Sequence, residues 1–364
     1  MKLTDREWKE FFIDDVFNVS GTITTKPQDL VLGGNTPRIT CASTNNGLDD
    51  LYKNAPTEKG RVITIDSATV GFTSYQRYDF IATDHVEKIC LKDVKMNVYT
   101  GLFLKQAIDN AIMQKYNYGY KFSQTRIKKQ KILLPINDEN KPDYQFMEDY
   151  VKEIMHRKRQ EYINYAKVKL EQNRTEQNRT EQNRTEQNRT EQIIPLHSKK
   201  WKEFFVVDIF PSIQRGKRLI KDKQISGNVP YVSSTAMNNG VDNFIQYDSS
   251  KMRKYQNCLS VANSGSVGAS FYEPFEYVAS DHVTHLKNDN FDKNIYLFIS
   301  AMTKRWSQKY NFNREINDLR ISREKILLPV NNNDEPDYAY IEQYVNNIII
   351  QKYSDYLEYA KKVV

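Results

Sequence analysis

WKEFFIDDVF, at Trp8–Phe17, returns as WKEFFVVDIF at Trp201–Phe210, 193 positions later (201 − 8). Asn45-Asn46-Gly47 returns at the same offset as Asn238-Asn239-Gly240. FIATDHV (Phe80–Val86) returns as YVASDHV (Tyr277–Val283), ILLP (Ile132–Pro135) at Ile326–Pro329, and PDY (Pro142–Tyr144) at Pro336–Tyr338. The matches keep their order over nearly the whole of both halves, and small insertions explain the drifting offset. A chain written twice in this way implies two domains of similar fold.

Each copy has the same internal order. Strand-like runs such as RVITID (Arg61–Asp66) and KILLPI (Lys131–Ile136) are punctuated by Gly, Asn and Pro. Helical stretches fall near Tyr99–Gln114 and Ile295–Gln308. Pro and Asp then open a strongly helical tail, with Asp as the N-cap. The expected fold class is α+β: two tandem domains of similar fold separated by a pair of long antiparallel helices. The boundaries expected are residues 1–142 for the first domain and 143–192 for a central helix with its spacer. Residues 193–336 make the second domain and 337–364 a C-terminal helix.

The tails carry apolar residues at three-four spacing. Met147, Val151 and Ile154, then Tyr162 and Tyr165, share one side of the first, and Ile341, Val345, Ile348 and Leu357 one side of the second. Such stripes must be buried. Mutual packing as an antiparallel coiled pair is the expectation; the competing reading packs each helix on its own domain. After the first stripe comes Glu-Gln-Asn-Arg-Thr four times, with a fifth copy begun, over Glu171–Gln192. Each Glu precedes an Arg by three positions, which favours helix modestly. The absence of an apolar stripe keeps a flexible linker open as the alternative.

Composition sets the outer limits. Of 364 residues, 39 % are hydrophobic, enough for two cores. Lys and Arg exceed Asp and Glu by 53 to 46, a net charge of +7 that permits an acidic partner without specifying one. Cys41, Cys90 and Cys258 form no CxxC, as expected of reduced thiols in a cytoplasmic protein. The opening MKLTDREWKE has no apolar signal core, and no run reaches the roughly 18 apolar residues of a membrane span.

The ordered set of motifs resembles the specificity subunit of Type I restriction-modification systems and of the related BcgI-like systems. Its carriers are WKEFF, the Pro230–Gly240 stretch ending MNNG, NSGSVG (Asn263–Gly268), SDHV (Ser280–Val283), YNFNREIND (Tyr310–Asp318) and ILLP, with a polar repeat after the first helix. ILLPINDENKPDY and ILLPVNNNDEPDY insert residues before each helix where many Type I subunits have Pro-Pro-Leu, which leans toward the BcgI-like branch. The resemblance implies a non-catalytic subunit that reads a split double-stranded DNA target. Its implied partners are methyltransferase subunits, which would carry S-adenosylmethionine; restriction subunits are a further partner it leaves open. It also implies that repeat copy number sets the gap between half-sites.

The residues carry no chemistry of their own that contradicts this. KPDY and EPDY lack the second Pro of an adenine methyltransferase motif, and no Gly-x-Gly follows a strand. Asp143, Glu148 and Asp149 lie at helical spacing without a nuclease lysine. His282 and His285 have no Cys/His set to complete a zinc site. No catalytic residue, metal site or cofactor of this chain is therefore expected. The matched Asp84-His85 and Asp281-His282 read as structural hydrogen-bonding pairs. NNG reads as turn chemistry in both copies, and SGSVG as a tight turn or a phosphate-contacting loop.

Base reading needs donors and acceptors, and affinity needs cations along phosphates. In the first half the candidates are Lys53, Ser67, Thr69, Gln76 and Arg77, then Lys121, Gln124, Arg126 and Lys128. In the second they are Arg215, Lys217, Arg218, Asn263, Ser264, Ser266, Asn313, Arg314, Asn317 and Arg320. RGKR (Arg215–Arg218) has no counterpart in the first half, as expected of two readers with different half-sites. The alternative is a two-domain protein-interaction scaffold in which the repeat is a spacer. Steep salt dependence of DNA binding separates the two.

Overall fold

The computed structural model describes residues 1–68, 71–117, 119–182, 195–311 and 314–363. The chain divides into two compact units, Met1–Tyr162 and Ile163–Val364.

The first unit opens with β1 (Trp8–Phe12), α1 (Ile13–Val16), β2 (Phe17–Gly21), β3 (Leu32–Ile39) and β4 (Leu48–Tyr52). β5 (Val62–Asp66), β6 (Thr73–Gln76), β7 (Ile81–Ala82) and β8 (Val86–Leu91) follow, then α2 (Val98–Ile112), α3 (Gln124–Lys129) and β9 (Lys131–Pro135). A 39-residue helix, α4 (Tyr144–Gln182), starts here and runs into the second unit. Three sheets result: β2-β8-β5-β6, β4-β3-β7, and the pair β1-β9. The pair closes the domain by joining its first strand to its last, with Trp8 opposite Pro135 and Phe12 opposite Lys131.

The second unit repeats the plan. β10 (Trp201–Phe205), α5 (Val206–Ile209), β11 (Ser212–Arg215), β12 (Ser226–Val232) and β13 (Val241–Ile245) lead to β14 (Lys254–Tyr255). β15 (Cys258–Ala262), β16 (Ser270–Glu273), β17 (Tyr277–Ala279), β18 (Val283–Lys287), α6 (Lys293–Thr303), α7 (Asp318–Arg323) and β19 (Lys325–Pro329) precede α8 (Tyr338–Val363). The sheets are β11-β18-β15-β16, β13-β12-β17-β14 and β10-β19. The added strand β14 has a counterpart in the first domain as the isolated bridge Glu58–Phe80.

Local chemistry explains the shared elements. α2 starts at Asn97, whose side chain accepts from the N–H groups of Tyr99 and Thr100, and Asp292 caps α6 through Ile295 N–H. α2 buries Leu104, Ile108 and Ile112, four apart, together with Phe103, against the sheet. Asn45, Asn46 and Gly47 all take left-handed φ, as do Asn238, Asn239 and Gly240. Asn and Gly adopt that conformation most cheaply, so the repeated NNG is turn chemistry.

Both tails are helical and capped by Asp. Asp143 Oδ1 accepts Phe146 N–H at 2.9 Å and Asp337 Oδ1 accepts Tyr340 N–H at 3.0 Å. The first stripe residues need a correction. Met147 is fully buried in the core of the first domain, with Val151 packed against it. Ile341 and Val345 belong to the core of the second domain. These four root each helix in its own domain, because only eight residues separate the helix from the closing strand. Ile154 is half-buried and Ile348 is exposed. Inside the second unit, helix pairing uses later residues of α4, including Ala166, Leu170 and Asn173, all buried. The helix covers the first two copies of the repeat, to Thr180, and reaches Gln182; residues 183–192 lie outside the described residues.

Candidate nucleic-acid interface

In each domain the same four positions meet at one end of the four-stranded sheet. In the first, Gly21 ends β2 opposite Glu87 of β8. Ser67, just after β5, donates its hydroxyl to Glu87 Oε1 at 3.2 Å and to the His85 carbonyl at 2.9 Å. Gln124, opening α3, donates to Glu87 Oε2 at 2.6 Å. A Cβ on Gly21 would come within 3.3 Å of that Gln124 amide.

In the second domain Arg215 ends β11 opposite Thr284 of β18. Asn263 Nδ2 donates to Thr284 Oγ1 at 3.1 Å, and that hydroxyl donates to Asp318 Oδ1, at the start of α7, at 2.8 Å. Arg215 Nε lies 3.6 Å from the same Asp318 oxygen. Ser67 N–H bonds the carbonyl of His85 and Asn263 N–H that of His282, which fixes the equivalence. One frame thus carries Gly, Ser, Glu and Gln in one copy and Arg, Asn, Thr and Asp in the other. Asn263 Oδ1 and Arg215 Nε are buried atoms without a hydrogen-bond partner among the described residues, so the second cluster has polar valences left to fill.

Cations lie next to the cluster positions in sequence: Arg126 and Lys128 follow Gln124 on α3, and Lys217, Arg218 and Arg320 adjoin Arg215 and Asp318, whereas Arg77 stands at the opposite end of β5 from Ser67. Arg126 stacks 3.9 Å above the Tyr120 ring and donates to Lys121 O at 2.6 Å. Stacking holds a guanidinium flat while keeping its charge. Arg77 lies 5.4 Å from the Tyr78 ring, and Lys53, Arg77 and Lys128 are exposed. In the second domain Arg218, Arg314, Asn317 and Arg320 are exposed and Lys217 is half-buried. Arg314 lies 5.3 Å from the Tyr310 ring; Arg320 bonds the Glu315 carbonyl and Asn317 caps α7 through Arg320 N–H. Gly216, between Arg215 and Lys217, packs against backbone: a Cβ there would fall 2.2 Å from the Ala279 and Ser280 carbonyl oxygens. This close approach fixes the path of the RGKR loop.

A second matched position differs in charge. Tyr116 Oη donates to Gln130 Oε1 at 3.0 Å. Tyr310 Oη meets Glu324 at the equivalent place, and Lys309 pairs with that carboxylate at 2.6 Å.

Several sequence candidates are engaged internally. Gln76 is 5 % exposed and donates to Asn46 O and Thr64 Oγ1, both at 3.1 Å. It latches the NNG turn. Asn263 has no exposed surface, and Ser67 and Ser264 are buried. Ser264 Oγ lies 2.7 Å from His282 Nδ1. All three spend their side-chain hydrogen bonds inside the domain. The matched Asp-His pairs also differ from expectation: His85 Nε2 lies 3.5 Å from an exposed Asp84, whereas His282 pairs with Ser264. SGSVG is a turn, closed by Gly268 N–H to Ala262 O and Ala269 N–H to Ser266 O. With Lys304, Ser307, Tyr310 and Asn311 it lines an open pocket of about 620 Å³. Thr69 and Asn313 lie outside the described residues. Glu87, Thr284 and Asp318 escaped the sequence reading. The signal for the first two was a polar residue inside a hydrophobic strand that changes identity between copies.

The family model described as the Type I restriction modification DNA specificity domain matches the chain twice, over residues 5–165 and 198–358. The chain belongs to this family. It is 30 % identical over 347 residues to specificity subunit S.BcgI of a Type II restriction enzyme from Heyndrickxia coagulans, covering 93 % of this chain and 94 % of that relative. Among solved structures it is similar to the Type I restriction-modification S subunit from M. genitalium, with a TM-score of 0.49 and 11 % identity over 100 % of this chain and 94 % of that one. It is also similar to the HsdS subunit from Thermoanaerobacter tengcongensis, with a TM-score of 0.31 and 9 % identity over 98 % and 91 %. The two α+β domains are therefore two DNA specificity domains, and the chain is a non-catalytic specificity subunit of a restriction-modification system. Among the described residues no helix is long and apolar enough to cross a membrane.

Proposed function

We propose that each specificity domain reads one half of a split double-stranded DNA target, and that the chain recruits methyltransferase subunits to it. S-adenosylmethionine binds in those partners, a restriction subunit joins the same assembly, and the complex works in the cytoplasm. The observation that carries this reading is the pair of matched clusters around Glu87 and Thr284. Their backbone frame is the same, their side chains differ, and exposed cations stand close by in sequence, Lys128 after Gln124 and Arg218 and Arg320 after Arg215 and Asp318. Divergence at one place on a repeated frame is what two readers of different sequences need, and these cations supply phosphate affinity.

The test is selection of the full chain, with its methyltransferase partner, on random-sequence duplexes. Two separated blocks of fixed sequence are expected, with affinity that falls steeply with salt. Lys217→Ala with Arg218→Ala should lower the salt slope by about one to two units, roughly 0.9 for each phosphate no longer neutralised. The block read by the first domain should stay unchanged. Uniform weak binding to all duplexes would overturn the proposal.

A further inference from the structure

Within the second unit, α4 from Ile163 onward packs against α8. Tyr165 meets Tyr353 edge-on, with ring centroids 6.3 Å apart. Eight residues further along α4, Asn173 meets Asn346, seven residues back along α8. The helices are therefore antiparallel. Ala166 and Leu170 are buried on this stretch of α4.

Two carboxamides are buried in this seam, Asn173 at 3 % and Asn346 at 6 % exposure. Asn346 Nδ2 donates to the main-chain oxygen of Asn173 at 3.3 Å, and Asn173 Nδ2 donates to Lys169 O at 2.7 Å. The side-chain oxygen of each has no partner among the described residues. Asn173 is the third residue of the first EQNRT copy.

An apolar seam is nearly degenerate in register, since sliding by a turn buries similar groups again. A buried polar pair is not degenerate, because a slide of one turn toward the start of α4 sets Asn346 against the buried Leu170. α8 is also rooted in its own domain: Ile341, five residues before Asn346, is fully buried in that core. The register at Asn346 thus sets where the second specificity domain stands along α4. We propose that Asn173 and Asn346 are positioning residues that fix this register and make the gap between the two half-sites single-valued. The inference rests on the split-target reading above.

The test is Asn173→Leu with Asn346→Leu in the full chain; Asn346→Ala is the fallback if the double variant does not fold. Selection on random-sequence duplexes should return both half-sites unchanged but several gaps instead of one. The spacing of those gaps should be about one to three base pairs, the reach of a slide of one or two turns. Disulfide trapping with Y165C and Y353C, read by peptide mapping, reports the register without DNA. It should give one product with the asparagines present and a reduced yield without them. An undiminished 165–353 crosslink with a single gap would overturn the inference. A chain that selects no half-site at all fails the split-target reading instead, and the crosslink still decides this one.

Discussion

Glu273 ends β16 with no exposed surface, accepts from Ser260 Oγ at 2.9 Å, and has a second carboxylate oxygen without a partner among the described residues. Burial pushes its carboxyl up from 4.5 to about 7. The folded state therefore keeps a proton that the unfolded chain has already released. The penalty is absent below about 4.5, grows as pH rises, and is complete above about 7. At roughly 1.4 kcal/mol for each pH unit of that interval, it reaches about 3 kcal/mol. Glu273→Gln should abolish this component, so the variant gains thermal stability over the parent at about pH 8 and little or none at about pH 4. Parallel melting curves that keep the same separation at both pH values would refute it. Nothing near EPFE announced this group, since a Glu beside a Pro reads as solvated. The engagement of Gln76 and Asn263 was hidden in the same way: their partners, Asn46 and Thr284, are distant in sequence. Residue type offers a donor, and only tertiary structure shows whether it is already engaged.

At the scale of elements, much was legible because local chemistry decides it. Asp at the start of each tail caps its helix, and both caps also bind a cation through the second oxygen. Asp143 pairs with Arg6 at 2.9 Å and Asp337 with Lys199 at 2.7 Å. Asp337→Ala removes the cap and the ion pair together and should cost about 1–2 kcal/mol. Asp337→Asn retains the capping oxygen and should cost less. Urea midpoints of the two variants check the order; equal losses would assign the effect to the ion pair alone. Helical periodicity placed both tails on helices but could not name what covers their apolar residues, and Tyr162, Tyr165 and Ile348 are exposed. Met147 and Ile341 turned inward to their own domains, while the packing surface of α4 in the second unit begins beyond the first three stripe residues. A stripe encodes the need for burial, and the connection to the closing strand chooses the partner.

At the scale of the molecule, the duplication carried the fold, and the repeat carries the sharpest consequence. Deleting Glu176–Thr180 removes five residues, about 7.5 Å of helix, or about two base pairs of DNA length. Two anchors then compete. Ile341 and Val345 hold α8 in the core of the second specificity domain, each contributing about 1.5–3 kcal/mol of burial. The single hydrogen bond from Asn346 to Asn173 is worth about 1 kcal/mol. The core wins, so α8 moves with its domain and slides along α4. Asn346 then faces Val168, which is 55 % exposed. Five residues rotate the helix by about 140°, so the slide cannot restore the polar pair. The deletion should therefore shorten the recognised gap by about two base pairs and leave both half-sites unchanged. It should also weaken binding and broaden the gap, because the asparagine pair is broken. In the deleted chain, Asn346→Leu should cost less affinity than in the full-length chain, where it removes an intact pair. Mapping selected duplexes for all four chains checks every part. A changed base preference, or a gap that does not move, would mean that the repeat does not measure the distance between the readers.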